Sequence, residues 1–157
     1  MRKLGKINIL CKYRMNTYKK QDISLGDLGE KEMYAYLKEC IDGDLVKHKN
    51  NWAVFDFSSD KSVVELKTRR IRHNQFGDIM IGANKLQKAS CENRDVFFVW
   101  NCVDGVFYWK YNQADIDNGY VEYREGGTTR RGEDESCLCG FVNTSILLPL
   151  LPLLPSF

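Results

Sequence analysis

The sequence predicts an α/β chain of the α+β kind, on three observations: an apolar stripe at helical spacing between Leu25 and Ile41, two pairs of β-rich runs joined by tight turns, and a short helical stretch between those pairs. The predicted order is helix, hairpin, helix, hairpin. With 157 residues, 43% of them hydrophobic and 12% aromatic, the chain can bury one core and is too short for two. Only 12 Gly and 3 Pro exclude collagen-like and low-complexity chains. No internal repeat or domain boundary is visible. Residues 1–157 are therefore read as a single domain, with a basic N-terminal arm over 1–20 and an apolar Pro/Leu tail over 146–157.

Ser24 followed by Asp27 is a capping pattern and Gly43 supplies a stop, which places the first helix over Leu25–Ile41. Gly26, Glu30, Met33, Leu37 and Cys40 share one stripe of it, so Glu30 interrupts an otherwise apolar face. Trp52–Phe57 and Ser62–Thr68, rich in Val, Phe and Trp, read as an antiparallel hairpin. Residues 69–79 read as a basic, polar loop and Asn84–Ser90 as a short helix. Val96–Cys102 and Val106–Tyr111 form the second hairpin, turning at Asp104-Gly105. Beyond Asn112 the pattern weakens, and Gly126–Ser136, with Arg130 and Arg131, reads as a loop. The dense aromatics Phe97, Phe98, Trp100, Phe107, Tyr108 and Trp109 alternate with Val and are assigned to the core rather than to a base-stacking platform.

Net charge is only +2, but its distribution is uneven. Residues 1–20 carry seven Lys/Arg and no acid, residues 61–88 carry seven against two, and residues 111–157 carry three against seven. One face is thereby expected to meet a polyanion. The six cysteines follow no secretory signal, which predicts a reduced intracellular compartment, cytoplasmic or nuclear. Cys137-Leu-Cys139 lacks partners at zinc spacing and is not read as a zinc clip. The run from Ile146 to Leu154 falls far short of the roughly 20 residues that cross a bilayer. No membrane partner is expected. Pro149, Pro152 and Pro155 favour an extended tail over a helix.

The chemistry is concentrated in the first hairpin. Alternation puts Val63, Glu65 and Lys67 on one face of a strand, and Trp52, Val54 and Asp56 on one face of its partner. A two-residue turn at Asp60-Lys61 sets Asp56 directly opposite Glu65. Facing carboxylates destabilise a strand pair by roughly 0.2–1 kcal/mol, and by more where water is excluded. A divalent cation offsets that repulsion economically, since Mg²⁺ takes one or two carboxylates, keeps several waters and accepts phosphate oxygens. Lys67 is then placed to orient or deprotonate an attacking water. Arg69, Arg70 and Arg72 follow at once and suit phosphate contacts. The bland reading of Glu65 and Lys67, the solvated face of an amphipathic hairpin with a loose salt bridge, competes with this one.

Glu30 in a first helix, Phe55-Asp56-Phe57, and Val63-Val64-Glu65-Leu66-Lys67-Thr68 together resemble the PD-(D/E)xK nuclease superfamily. Its small Holliday-junction-resolvase-like members and nuclease-like proteins of phages and large DNA viruses are the nearest in pattern. The resemblance spans about residues 24–111, and Phe55 stands where the family's name has Pro. It implies a central mixed β-sheet flanked by helices, a restriction-endonuclease-like core in the order α-β-β-α-β-β. It also implies Mg²⁺ or Mn²⁺ and hydrolysis of DNA. Carried over residue by residue, Asp56 and Glu65 are metal ligands, Leu66 lends its backbone carbonyl, Lys67 positions the nucleophile, and Glu30 holds a second metal or a metal-bound water. Lys85 joins the arginines as a nucleic-acid contact, and a homodimer is compatible with resolvase-like action. Asp60 and His73 read as turn and loop residues. Two other classes stay open: a nucleic-acid-binding module without catalysis, and a small scaffold or virion component whose Leu/Pro tail docks a partner.

Overall fold

A computed structural model describes residues 25–49, 53–126 and 137–153. The fold is α+β. The basic arm over 1–20 and most of the loop over 126–136 lie outside the described residues.

Helix α1 (Leu25–Cys40) forms over the predicted span, one residue shorter. Among its described side chains, Met33, Tyr36, Leu37 and Cys40 are buried, at the i, i+3, i+4, i+7 positions that make one apolar face. Strands β1 (Val46–Lys47), β2 (Phe57–Ser58), β3 (Ser62–Thr68) and β4 (Asp78–Gly82) precede helix α2 (Ala83–Ser90). Then come β5 (Asp95–Cys102), β6 (Gly105–Lys110), helix α3 (Gln113–Asp117), β7 (Val121–Gly126), β8 (Cys137–Asn143), a 3₁₀ turn at Thr144–Ile146 and β9 (Leu148–Pro149).

Six strands form one mixed sheet in the order β1-β2-β3-β5-β6-β9. Its centre is the parallel pair β3 and β5, matched from Ser62 with Asp95 to Thr68 with Asn101. Strands in such a pair are covered on both faces, which accounts for the unbroken burial from Ser62 to Leu66. On one face, Phe57, Val64, Leu66, Val99 and Val106 pack under α1. On the other, Val63, Val96, Phe98, Trp100 and Trp109 pack with Leu86 and Ala89 of α2 and with Ile79, Ile81, Val121 and Val142. Those last four belong to a separate antiparallel sheet, β4-β8-β7. The aromatics assigned to the core lie on both faces: Phe98, Trp100 and Trp109 are buried on the α2 side with Phe107 half-buried against them, and Phe97 and Tyr108 pack half-buried on the α1 side.

Three expectations change. The strand expected over Trp52–Phe57 is only Phe57–Ser58, because the chain bends through residues 54–56; Phe55 and Phe57, two apart, therefore enter opposite cores. The second hairpin turns at Val103-Asp104, with Cys102 paired to Gly105, one residue earlier than expected. The simple order α-β-β-α-β-β gains β1 before the first hairpin and β4 before α2.

The described part of the tail, residues 147–153, is docked and extended. Leu150 is buried and its carbonyl accepts from Tyr36 Oη at 2.6 Å, while the Leu150 and Leu153 amides donate to the Val106 and Glu39 carbonyls. Among the described residues no helix is long and apolar enough to cross a membrane.

Candidate active site

The hairpin holds the predicted register although β2 is short. Phe57 pairs with Val64 and Ser58 with Val63, and Ser59 N–H donates to Ser62 O across the two-residue turn at Asp60-Lys61. Ladder pairing ends there: Asp56 and Glu65 are not a strand pair, although the Asp56 carboxylate lies near enough to raise the Glu65 carboxyl. Asp56 stands where ladder pairing stops, and three bonds fix it: its amide donates to Val64 O, its carbonyl accepts from His48 N–H, and Oδ2 accepts from Leu66 N–H at 2.8 Å. Its carboxylate thus replaces a missing main-chain acceptor on β3.

Glu65 faces the core between the two sheets and is 2% exposed. A carboxylate at such a depth is costly unless it is paired. Lys67 Nζ lies 2.9 Å from Oε1, and Lys85 Nζ lies 3.1 Å from Oε2. The Lys85 contact is an ion pair without hydrogen-bond alignment, since the same ammonium donates to the Val54 carbonyl and Oε2 has no hydrogen-bond donor. Burial, and then the neighbouring Asp56 carboxylate, push the Glu65 carboxyl above its usual range; Lys67 and Lys85 pull back against that rise.

Of the expected site residues, the structure brings together Asp56, Glu65, Lys67 and the Leu66 peptide. Glu30 lies within α1, and its side chain is outside what is described. Leu66 turns its side chain into the core under α1. Lys85, read from the sequence as a phosphate contact, is here a counter-charge to Glu65, delivered by the first turn of α2. Nothing in the sequence pattern signals that return. Arg70 and Arg72 are exposed just past β3, whereas Arg69 is half-buried with Nη1 on the Thr68 carbonyl; burial lowers its pKa. Asp60 is exposed in its turn.

His73 is not a loose loop residue. Its Nδ1 and Asp104 Oδ2 are 2.6 Å apart, its amide donates to Asp104 Oδ1 at 3.0 Å, and its ring stacks on Phe107 with centroids 3.7 Å apart.

The donor set suits a hard divalent cation. Asp56, in the bend before β2, lies near Glu65 of β3, and Glu65 Oε2 is a buried acceptor that no hydrogen bond satisfies. Among the described residues Asp56 and Glu65 are the carboxylates at this point, a number that suits Mg²⁺, which takes one or two carboxylates and keeps several waters. The like-charge repulsion expected between the carboxylates is already met in part by the two ammonium groups.

No protein-family model, no curated protein and no solved structure matches the chain.

Proposed function

We propose that the chain is a Mg²⁺- or Mn²⁺-dependent nuclease that hydrolyses DNA phosphodiester bonds, acting as a structure-selective endonuclease of the Holliday-junction-resolvase kind on a restriction-endonuclease-like core. One observation carries the reading: a buried Glu65 with an unsatisfied oxygen, beside Asp56 and 2.9 Å from Lys67, on a hairpin followed directly by exposed Arg70 and Arg72. An isolated surface E-x-K pair has no reason to sit at such depth.

A cation held by Asp56, Glu65 and the Leu66 carbonyl would supply charge neutralisation at phosphorus and a more acidic water. The chain's own groups do the rest. Asp56, pinned by the Leu66 amide, fixes the site's geometry before substrate arrives. Lys67, one-third exposed, reaches from Glu65 toward solvent, where its ammonium orients the attacking water and offsets charge growing on the phosphoryl oxygens. Water loses a proton to solvent as it adds to phosphorus, the bond to the leaving sugar oxygen breaks, and that oxygen takes a proton from solvent. Arg70 and Arg72 hold flanking phosphates. A four-way junction needs two symmetric cuts, which a homodimer would deliver.

A second reading has its own support. Because Lys67 and Lys85 already neutralise Glu65, the cluster could be a stable ion-pair group in a DNA-binding module that does not cut. Labelled linear, flapped and four-way DNA, incubated with and without Mg²⁺ or Mn²⁺, separates the two. Metal-dependent cleavage lost in Lys67→Ala supports the nuclease; binding without cleavage under every metal condition supports the module.

A further inference from the structure

The segment between Lys67 and Lys85 leaves the site and returns to it, and its outward part, residues 69–77, is built as a rigid arm. Arg69 N–H donates to Asn101 O, and Val103 N–H donates to Ile71 O, so the chain first runs on beside β5 beyond the last strand residue. His73 is then clamped by two bonds to Asp104 and by stacking on Phe107. At the far end, the Gly77 carbonyl accepts from both the amide and the hydroxyl of Thr144. Within the arm, Gln75 N–H donates to Arg72 O and the Gln75 side chain accepts from Arg72 N–H. The arm is pinned at several points along its length, yet Phe76, one residue before the Gly77 anchor, is bare: it is 59% exposed, more than any other aromatic ring among the described residues.

The surrounding charge selects the ligand. Both acids beside the arm are occupied, Asp104 by His73 and Asp78 by Arg124. Arg70 and Arg72 remain exposed on the same nine-residue stretch. An exposed aromatic on the same short, pinned stretch as two exposed guanidiniums matches a base with its flanking phosphates; an apolar protein partner would not call for the guanidiniums, and duplex DNA offers no free base face to the ring. We propose that residues 69–77 form a reader of unpaired nucleotides, Phe76 stacking on an exposed base while Arg70 and Arg72 take the adjoining phosphates, so that the preferred ligand is DNA with a flap, gap or open branch beside duplex. This narrows the structure-selective reading to branched DNA that carries unpaired nucleotides, in place of a fully paired four-way junction, and it rests on the nuclease reading only for the cutting.

The test measures binding, not cleavage. The full chain is titrated in EDTA against a labelled blunt duplex and the same duplex carrying an unpaired flap. The expected result is tighter binding to the flapped DNA, a loss of about 10-fold on that ligand in Phe76→Ala, change within about 2-fold on blunt duplex, and recovery in Phe76→Trp. Arg70→Ala with Arg72→Ala should weaken both ligands and flatten the salt dependence. Equal affinity of Phe76→Ala and the parent for flapped DNA overturns the proposal, as does equal loss on both ligands or no DNA binding at all. Flap binding without metal-dependent cleavage would leave this reader standing and remove the nuclease; cleavage indifferent to Phe76 would do the reverse.

Discussion

The Leu66 amide donates to Asp56 Oδ2 at 2.8 Å, so a side chain closes the hairpin ladder at the point where β2 has stopped pairing. A hydrogen bond to a charged acceptor contributes more than a neutral one, and loss of the acceptor strands a strand amide. Asp56→Ala should therefore lower stability by about 1.5–3 kcal/mol in urea denaturation, while Asp56→Asn, which keeps an acceptor oxygen, should stay within about 1 kcal/mol of the parent. Both should abolish metal-dependent cleavage. An Asp56→Ala protein as stable as the parent would show that the bond does not hold the ladder.

The buried Glu65 carboxyl, raised first by burial and then by Asp56, gives a pH signature. The folded chain keeps this proton more tightly than the unfolded chain does. Its stabilising contribution is thus complete below the ordinary glutamate value of about 4.3 and is lost as pH rises through the raised folded value. Asp42, held down by Ser59, and Glu92, held down by Arg94, slope total stability the opposite way. The difference between the parent and Glu65→Gln isolates the effect: the parent should lose ground to the variant as pH rises across that window. A flat difference contradicts it.

Lys85 and Lys67 should not weigh equally. Lys85 is 19% exposed against 35% for Lys67, and it faces the Glu65 oxygen that has no other donor. Lys85→Met should cost about 3 kcal/mol at neutral pH and Lys67→Met about 1. In a double-mutant cycle, adding Glu65→Gln to Lys85→Met should restore about 1–3 kcal/mol, because no buried charge is then left uncompensated. Strict additivity would mean that the two groups are not coupled.

The Asp104 clamp should govern the order of the arm. Asp104→Asn removes the charged partner of His73 while leaving the β5–β6 turn in place. Hydrogen exchange should quicken across residues 69–77, with global stability changed by about 1 kcal/mol or less. Unchanged protection there would show that the Ile71 and Gly77 bonds suffice.

The part of the fold that local chemistry governs was legible in the sequence. The stripe of Met33, Leu37 and Cys40 sets α1, and the tight Asp60-Lys61 turn sets the register of Phe57 with Val64 and Ser58 with Val63, beside which Asp56 comes near Glu65. The β4-β8-β7 sheet was not legible, since β4 and β8 join residues as distant as Asp78 and Asn143 and no nearby turn announces their pairing. Nor was the bend at residues 54–56, which overrides the alternation that Phe55 and Phe57 would otherwise obey. At the site, Glu65 and Lys67 lie two residues apart and were found together. Lys85 is named from the sequence as a nucleic-acid contact, but its pairing with Glu65 is not legible there, because a helix carries it back from 20 positions along the chain.

The claim beneath all of this is that Asp56 and Glu65 jointly hold a divalent cation. Titration of the full chain with Mn²⁺, followed by the loss of the free-ion signal in electron paramagnetic resonance, addresses it without any substrate. The parent protein should bind Mn²⁺ saturably, Glu65→Gln and Asp56→Asn should each lose that binding while remaining folded, and Mg²⁺ should compete. Mn²⁺ uptake that is the same in the parent and both variants, or absent from the parent, would contradict the account.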